Sequence, residues 1–246
     1  MADSMWRRVP CLATAASIHA SCFLVWFGLE AVAASQFSPV YSYLTNPISD
    51  LGIPYVFEDS KHGNRSSESI RASFMSANFH IVAGLYTLGQ LLILFAASTE
   101  LALEHTHSWT VTRNIRAGLS LLFLVGLSIV GAVHAGPREA ADGTIAIHLA
   151  GAGIAIFGGN CSSILASFLA YPIPNQARMH YRAVSFLLGA AGIVAGLCTE
   201  AASKVGYTGV TERISVYCIL IWGLATSVTI WAQHARDDRS RVKKST

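Results

Sequence analysis

The chain has 246 residues, of which 52% are hydrophobic and only 13% charged; soluble domains carry about 25% charged residues. That deficit argues against a soluble globular protein, and equally against disorder, which needs low hydrophobicity and high charge. The balance of 17 Lys+Arg against 14 Asp+Glu, a formal +3, lacks the basic surplus of a nucleic-acid binder. Cys11, Cys22, Cys161, Cys198 and Cys218 stand singly inside apolar stretches, so neither a zinc site nor a secreted disulfide framework is indicated.

In chain order, six apolar runs are each long enough to cross about 30 Å of hydrocarbon, which takes roughly 20 helical residues. They cover 10–34, 74–97, 115–134, 144–170, 183–202 and 214–231. Continuous runs predict helices, whereas barrel strands alternate. The first connection is long and rich in Ser, Asn, Pro and charge, and the others are short hairpins. The expected fold is all-α: one membrane domain over 1–246, with six transmembrane helices, a long structured first outer loop and a basic tail at 232–246. The first run has a rival reading. Ala31-Val32-Ala33 follows an apolar run and Arg7-Arg8, as a signal-peptidase site would, although a signal core is usually about 7–15 residues. Cleavage there would leave five spans.

Basic residues set orientation. Eleven of the 17 Lys+Arg fall on one side: Arg7, Arg8, Arg113, Arg116, Arg178, Arg182, Arg236, Arg239, Arg241, Lys243 and Lys244. The other six are Lys61, Arg65, Arg71, Arg138, Lys204 and Arg213. Both termini are therefore expected in the cytosol. Acidic residues distribute oppositely, with Asp50, Glu58, Asp59, Glu68, Glu139 and Asp142 in outer loops and Glu30, Glu200 and Glu212 near outer helix ends. In a eukaryotic host Asn64-Arg65-Ser66 is a glycosylation sequon on the lumenal side. Asn160-Cys161-Ser162 also matches but lies inside the fourth run. The terminal Lys243-Lys244-Ser245-Thr246 reads either as a dilysine retrieval address to the endoplasmic reticulum or as an ordinary basic tail.

Small and polar residues mark helix contacts in lipid. Gly151, Ala155, Gly159, Ser163 and Ser167 form a small ridge at four-residue spacing, and Gly192 and Gly196 repeat that spacing in the next run. The fourth and fifth runs should therefore be the closely packed central helices. Gln90 and Asn160 lie deep on the cytosolic side, where an interhelical hydrogen bond is the default role and a substrate contact the alternative. His19 is mid-run and isolated, which reads as a packed histidine.

Ionisable groups inside a membrane are costly and default to functional candidates. His80 stands early in the second run, His134 closes the third, His148 opens the fourth, Glu200 ends the fifth, and Glu212 and Arg213 lead into the sixth. With Asp50 in the first loop, all fall within about 10 Å of the outer interface at 1.5 Å per residue. The cytosolic end shows nothing comparable. Three readings compete. These groups can cap helix ends. They can form an acid/base site, with Asp50, His80, His148 and Glu200 catalytic and Asn46, Ser49, Asn78, His134, Arg138, Glu212 and Arg213 binding substrate. They can bind metal through His80, His134, His148 and Asp50, ligand types that suit zinc, although no HxxxH or HExxH spacing is present. Asp50 is expected to pair with Arg213, the cation at its level, since a carboxylate near hydrocarbon needs a partner. Asp50, His80, His148 and Arg213 should converge.

The segment Asn46-Pro47-Ile48-Ser49-Asp50-Leu51-Gly52 resembles the N-x-I-S-D-L-G signature of a multi-pass membrane family catalogued as domain of unknown function 998. Gly136-Pro137, His148 and Thr208-Gly209-Val210-Thr211-Glu212-Arg213-Ile214 are similar to further features of that family, with Glu212 where its pattern has Gln. The stretch 56–69 departs from compact members. The resemblance covers most of the chain and implies a polytopic helical fold, but no reaction. The bundle also resembles the membrane-bound terpene cyclases of meroterpenoid pathways, which have seven spans and different acidic positions. In physical terms Pro47 pushes Asn46 to an extended conformation, Ser49 and Asp50 can turn the backbone, and a re-entrant cap over the bundle mouth would fit.

The functional expectation is an integral membrane protein with a polar pocket at its outer end. Its activity would be acid/base chemistry, as a cyclase, isomerase or hydrolase, on a lipophilic small molecule. No cofactor, metal or nucleic acid is called for, and the lipid bilayer is the expected partner. The alternative of another class is a non-enzymatic scaffold or transport-related protein.

Overall fold

A computed structural model describes residues 9–59, 63–67, 69–101, 107–168 and 175–245. It contains helices α1 (Val9–Ala34), α2 (Ser69–Leu101), α3 (His107–Ala132), α4 (Pro137–Asp142), α5 (Ile145–Phe168), α6 (Asn175–Val205) and α7 (Thr208–Ser245). All but α4 are long and apolar enough to cross a membrane, so the chain is an all-α polytopic bundle. The six long helices pack in chain order into a closed ring, α7 returning onto α1, while α5 also reaches across to α7. The end carrying the first connection is called here the loop end, and the end where α1 begins and α7 finishes is the tail end.

The first connection is structured. A 3-10 turn spans Ile48–Gly52. Beyond it strands β1 (Phe37–Ser38), β2 (Phe57–Asp59) and β3 (Gly63–Ser67) form an antiparallel sheet in the order β1-β3-β2. Phe57 pairs with Arg65 and Glu58 with Asn64, so β2 and β3 form an antiparallel hairpin pair, docked by Ser38 against Ser66.

The small ridge of α5 is buried along its length, from Gly151 through Ala155, Gly159 and Ser163 to Ser167. Its glycines are there because neighbouring backbones come too close for a side chain. A Cβ on Gly126 of α3 would lie 2.5 Å from the Gly151 carbonyl oxygen and the Ala155 nitrogen, and one on Gly189 of α6 would lie 2.7 Å from the Asn160 carbonyl oxygen. Small residues thus set the helix spacing, as expected without a hydrophobic force between helices.

One expectation is corrected. The fifth run packs closely on the fourth but is not central: only 22% of the α6 span is buried against 56% for α2, because its main contacts are with α5 and α7 alone. The stretch 232–245 continues α7 as helix to Ser245; no Gly or Pro follows Gly223 to stop it. The side chains of Arg7, Arg8, Asp59, Lys61, Glu68, Arg178, Arg241, Lys243 and Lys244 lie outside the described residues, and with them the expected dilysine address.

Candidate functional site

The loop end is built around the Asn46–Gly52 segment. Pro47 holds an extended backbone (φ −57°, ψ 152°) just before the 3-10 turn, which aims Asp50 inward. Asn46 fixes the turn's entry: its Oδ1 accepts the Ser42 N–H at 3.1 Å, and its Nδ2 donates to Asp50 Oδ2 at 3.1 Å. The Ile48 N–H donates to Glu212 Oε2 at 2.7 Å, tying the turn to the start of α7.

The expected Asp50–Arg213 pair does not form. Asp50 instead takes Arg65 from the hairpin, with Nη1 to Oδ2 at 2.8 Å and both side chains largely buried. Arg213 turns to Glu30 at the end of α1, 3.1 Å away. Glu30 is 1% exposed and is held further by the Tyr217 hydroxyl at 2.9 Å and Trp26 Nε1 at 2.9 Å. The rest of the Arg213 fork is also used. Nη1 donates to the carbonyls of Tyr43, Asn46 and Gly209 at 3.0, 2.8 and 3.1 Å, and Nη2 to the Tyr41 hydroxyl. Its plane lies over the Tyr41 and Tyr43 rings. Burial pushes the Tyr41 phenol well above its ordinary range, the nearby Arg213 cation opposing it, so Tyr41 stays a neutral donor to the Pro47 carbonyl at 2.7 Å. Arg213 is thus a clasp between α1, the first loop and α7, with no donor left for a ligand.

Beneath the turn is a cavity of about 390 Å³, walled by Trp26, Phe79, Leu127, Val130, Ala152, Ala155 and Val216. Ser49, Asp50, His148, Thr199, Thr208 and Glu212 bring polar groups to it. A few convergent polar groups in a mainly apolar pocket of this size are the usual form of a small-molecule site. His148 is 4% exposed, and its Nδ1 lies 2.6 Å from the Val133 carbonyl. A carbonyl only accepts, so Nδ1 carries the proton and Nε2 keeps its lone pair. Glu212 spends Oε2 on Ile48 and has Oε1 left.

The other named candidates scatter. His80 is exposed and packs over Gly131, where a Cβ would meet its Nε2 at 2.9 Å. Glu200 is 88% exposed beside Lys204. Neither borders the cavity: His80 packs on α3, and Glu200 stands open beside Lys204. Asn78 is fully buried and donates to the Trp26 carbonyl at 3.2 Å. His134 is half-buried and does not line the cavity. Arg138 stacks over Tyr55 at 4.1 Å, in a clasp at the α4 N-terminus where the Tyr55 hydroxyl donates to Glu139 Oε2. Partial burial pulls the Glu139 carboxyl up, but bonds from Tyr55 and backbone N–H groups outweigh it and hold it below its ordinary value. Tyr55 is raised by burial and by that same bond. Among the described residues no three His, Cys, Asp or Glu side chains come together as a metal site needs.

The tail half holds a polar cluster that the charge pattern concealed. His19 is not isolated: Gln90 Nε2 lies 3.1 Å from its Nε2, and Gln90 Oε1 accepts from Arg116 Nη2 at 3.2 Å. Arg116 is 2% exposed, inside the bundle rather than at the interface its count in the charge tally assumed. Asn160 makes an interhelical bond to the Ser215 carbonyl at 3.0 Å. Sequence reasoning missed Glu30 and Arg65. Glu30 sits one turn after Trp26, a spacing at which an indole N–H can reach a carboxylate. Arg65 enters the sequence reading only through the sequon and the count of basic residues.

Neither a protein-family model, nor a curated protein, nor a solved structure matches the chain.

Proposed function

We propose that the chain is a membrane-embedded enzyme performing acid/base chemistry on a lipophilic substrate held in the loop-end cavity. The observation that carries this is His148, whose Nδ1 is committed to the Val133 carbonyl while its side chain borders an apolar cavity shared with Glu212. His148 Nε2 takes a proton from the substrate and Glu212 Oε1 delivers one to another substrate atom. The pair resets when the proton passes from His148 back to Glu212, so an isomerisation or cyclisation needs no net proton. Asp50, tied to Arg65 and Asn46, positions the turn and is not itself the base. A solid bundle would have favoured a scaffold. A polar path through to Gln90 and Asn160 would have favoured transport, and both of those side chains are fully buried in interhelical bonds.

The family resemblance carried by Asn46–Gly52 belongs to this proposal too, since that segment forms the cavity's roof. So does the orientation: both termini in the cytosol, the loop end lumenal, residence in the endoplasmic reticulum of a eukaryotic host, and glycosylation at the exposed Asn64. The test of function is to incubate purified chain with lipids extracted from its host membrane and compare the products, by chromatography that separates isomers of equal mass followed by mass spectrometry, with those of His148→Gln and Glu212→Gln. Species consumed and formed by the native chain alone are the expected result. Identical profiles for all three folded proteins would end the proposal.

A further inference from the structure

The cavity opens sideways. At the Asn160 level α5 and α6 touch: a Cβ on Gly189 would lie 2.6 Å from Ile164 Cγ1. Towards the loop end they part. A Cβ on Gly196 would still meet Ile156 at 3.0 Å, but one on Gly153 would meet nothing within 4 Å. The cavity lining runs into this gap, because Leu149, Gly153, Gly196 and Thr199 all border it. Leu149 is 61% exposed and Gly153 is exposed as well. The opposite wall is closed by the buried Trp26 and Phe79, and the 3-10 turn covers the top. Leu149 and Gly153 stand four and eight residues into α5, about 6 and 12 Å from its start. The gap therefore faces the headgroup boundary and upper acyl region of the loop-side leaflet.

The polar groups at the inner end of this gap select a head. Among the described residues no Lys or Arg lines the cavity. Arg65 pairs with Asp50, which lines the cavity, and Arg213, next to the lining Glu212, is spent on Glu30 and three carbonyls. A phosphate head would enter beside carboxyl groups with no cation to receive it, and a buried unpaired anion is strongly disfavoured. His148 Nε2 is an acceptor, and Glu212 Oε1 donates when protonated, the form its acid role needs, and accepts when ionised. Ser49 and Thr208 are hydroxyls able to donate or accept, while Thr199 donates to the Ala195 carbonyl at 3.1 Å and is left to accept.

We propose that the cavity takes, through the gap between α5 and α6, a phosphate-free lipid of the loop-side leaflet whose head donates hydrogen bonds, a long-chain or polycyclic alcohol or amine, and seats that head on His148 and Glu212. The proposal rests on the reading of the cavity as a binding site. Alcohol and amine share the donor chemistry, and the probes below separate them.

The test uses the full chain in phospholipid nanodiscs with three photoactivatable alkyl probes of equal chain length, ending in a hydroxyl, an amine or a phosphate. Labelled peptides are mapped by mass spectrometry. The expected result is labelling within 145–156 and 196–216 by the hydroxyl probe, the amine probe or both, at least about tenfold above the phosphate probe, a factor equal to about 1.4 kcal/mol. Gly153→Leu should fold normally, since its Cβ meets nothing, yet fill the gap and abolish that labelling. Gly28→Leu, equally unobstructed on α1, should leave it unchanged. Equal labelling by the phosphate probe overturns the head selection, and undiminished labelling in Gly153→Leu overturns the entry route; the cavity reading survives either. No labelling of these segments by any probe overturns the proposal together with the cavity reading.

Discussion

Replacing Arg213 with Met removes the cation that joins three parts of the chain. The substitution keeps the side chain's length but leaves Glu30, which is 1% exposed, as an uncompensated buried carboxylate. Breaking a buried ion pair from one side costs about 3–5 kcal/mol. The carbonyls of Tyr43, Asn46 and Gly209 also lose their donor; each bond to a charged group contributes about 1.5–3 kcal/mol. These terms share one side chain and do not add, so a loss of about 4–5 kcal/mol is expected. Arg213→Lys should fall between, at about 2–3 kcal/mol, because one ammonium with three donors cannot serve Glu30 and the carbonyls together. Arg213→Met with Glu30→Met removes the stranded charge, and its loss should be smaller than that of Arg213→Met alone. The assay is unfolding in mixed micelles across a denaturing-detergent titration, followed by tryptophan fluorescence from Trp26 beside Glu30. Arg213→Met within about 0.5 kcal/mol of the native chain, the scatter of ordinary surface changes, would refute the clasp.

Gly192→Leu should sharply lower the folded yield, since a Cβ there would collide with the Asn160 side chain and overpacking costs about 1–3 kcal/mol or more; size-exclusion profiles matching those of Gly153→Leu would show that α5 and α6 do not touch at this level. The Tyr55–Glu139 clasp should be pH-dependent. Glu139 has its folded value held below the ordinary 4.5, so its contribution is complete above 4.5 and disappears as pH falls through the lower folded value. Protection of the 138–142 amides, exchange corrected for its intrinsic rate at each pH, should therefore fall on acidification below 4.5, and not in Glu139→Gln; protection unchanged by acid in the native chain would contradict this. Glycosylation mapping in a eukaryotic host should modify Asn64 and never Asn160, read as a mass shift lost in Asn64→Gln; a tag at Thr246 found in the lumen would overturn the orientation.

The spans were legible because a membrane helix must be a continuous apolar run, and the α5 ridge because a four-residue spacing puts small residues on one face. The level of the polar groups was legible for the same reason: rise per residue is fixed. What the rise does not give is azimuth or partner. His80 and Glu200 are expected at the depth of His148, but His80 packs on α3 and Glu200 is exposed, so neither borders the cavity. Asp50 and Arg213 share a level too, yet each is taken by a residue whose path the sequence leaves open. Arg65 arrives on a hairpin that looked like an insertion, and Glu30 comes from the far end of α1. Arg116 was read as an interfacial charge because a tally of basic residues records side of membrane and not burial; Gln90, flagged for its depth, was the available clue.

The claim that this bundle is built around a lipid-binding cavity is tested most directly by native mass spectrometry of the full chain released from nanodiscs, beside Ala152→Trp, which puts an indole into the cavity lined by Ala152. The native chain should carry a one-to-one lipophilic adduct that survives mild activation, and Ala152→Trp, folded to the same extent, should lose it. The same adduct at the same occupancy in both proteins would contradict the claim.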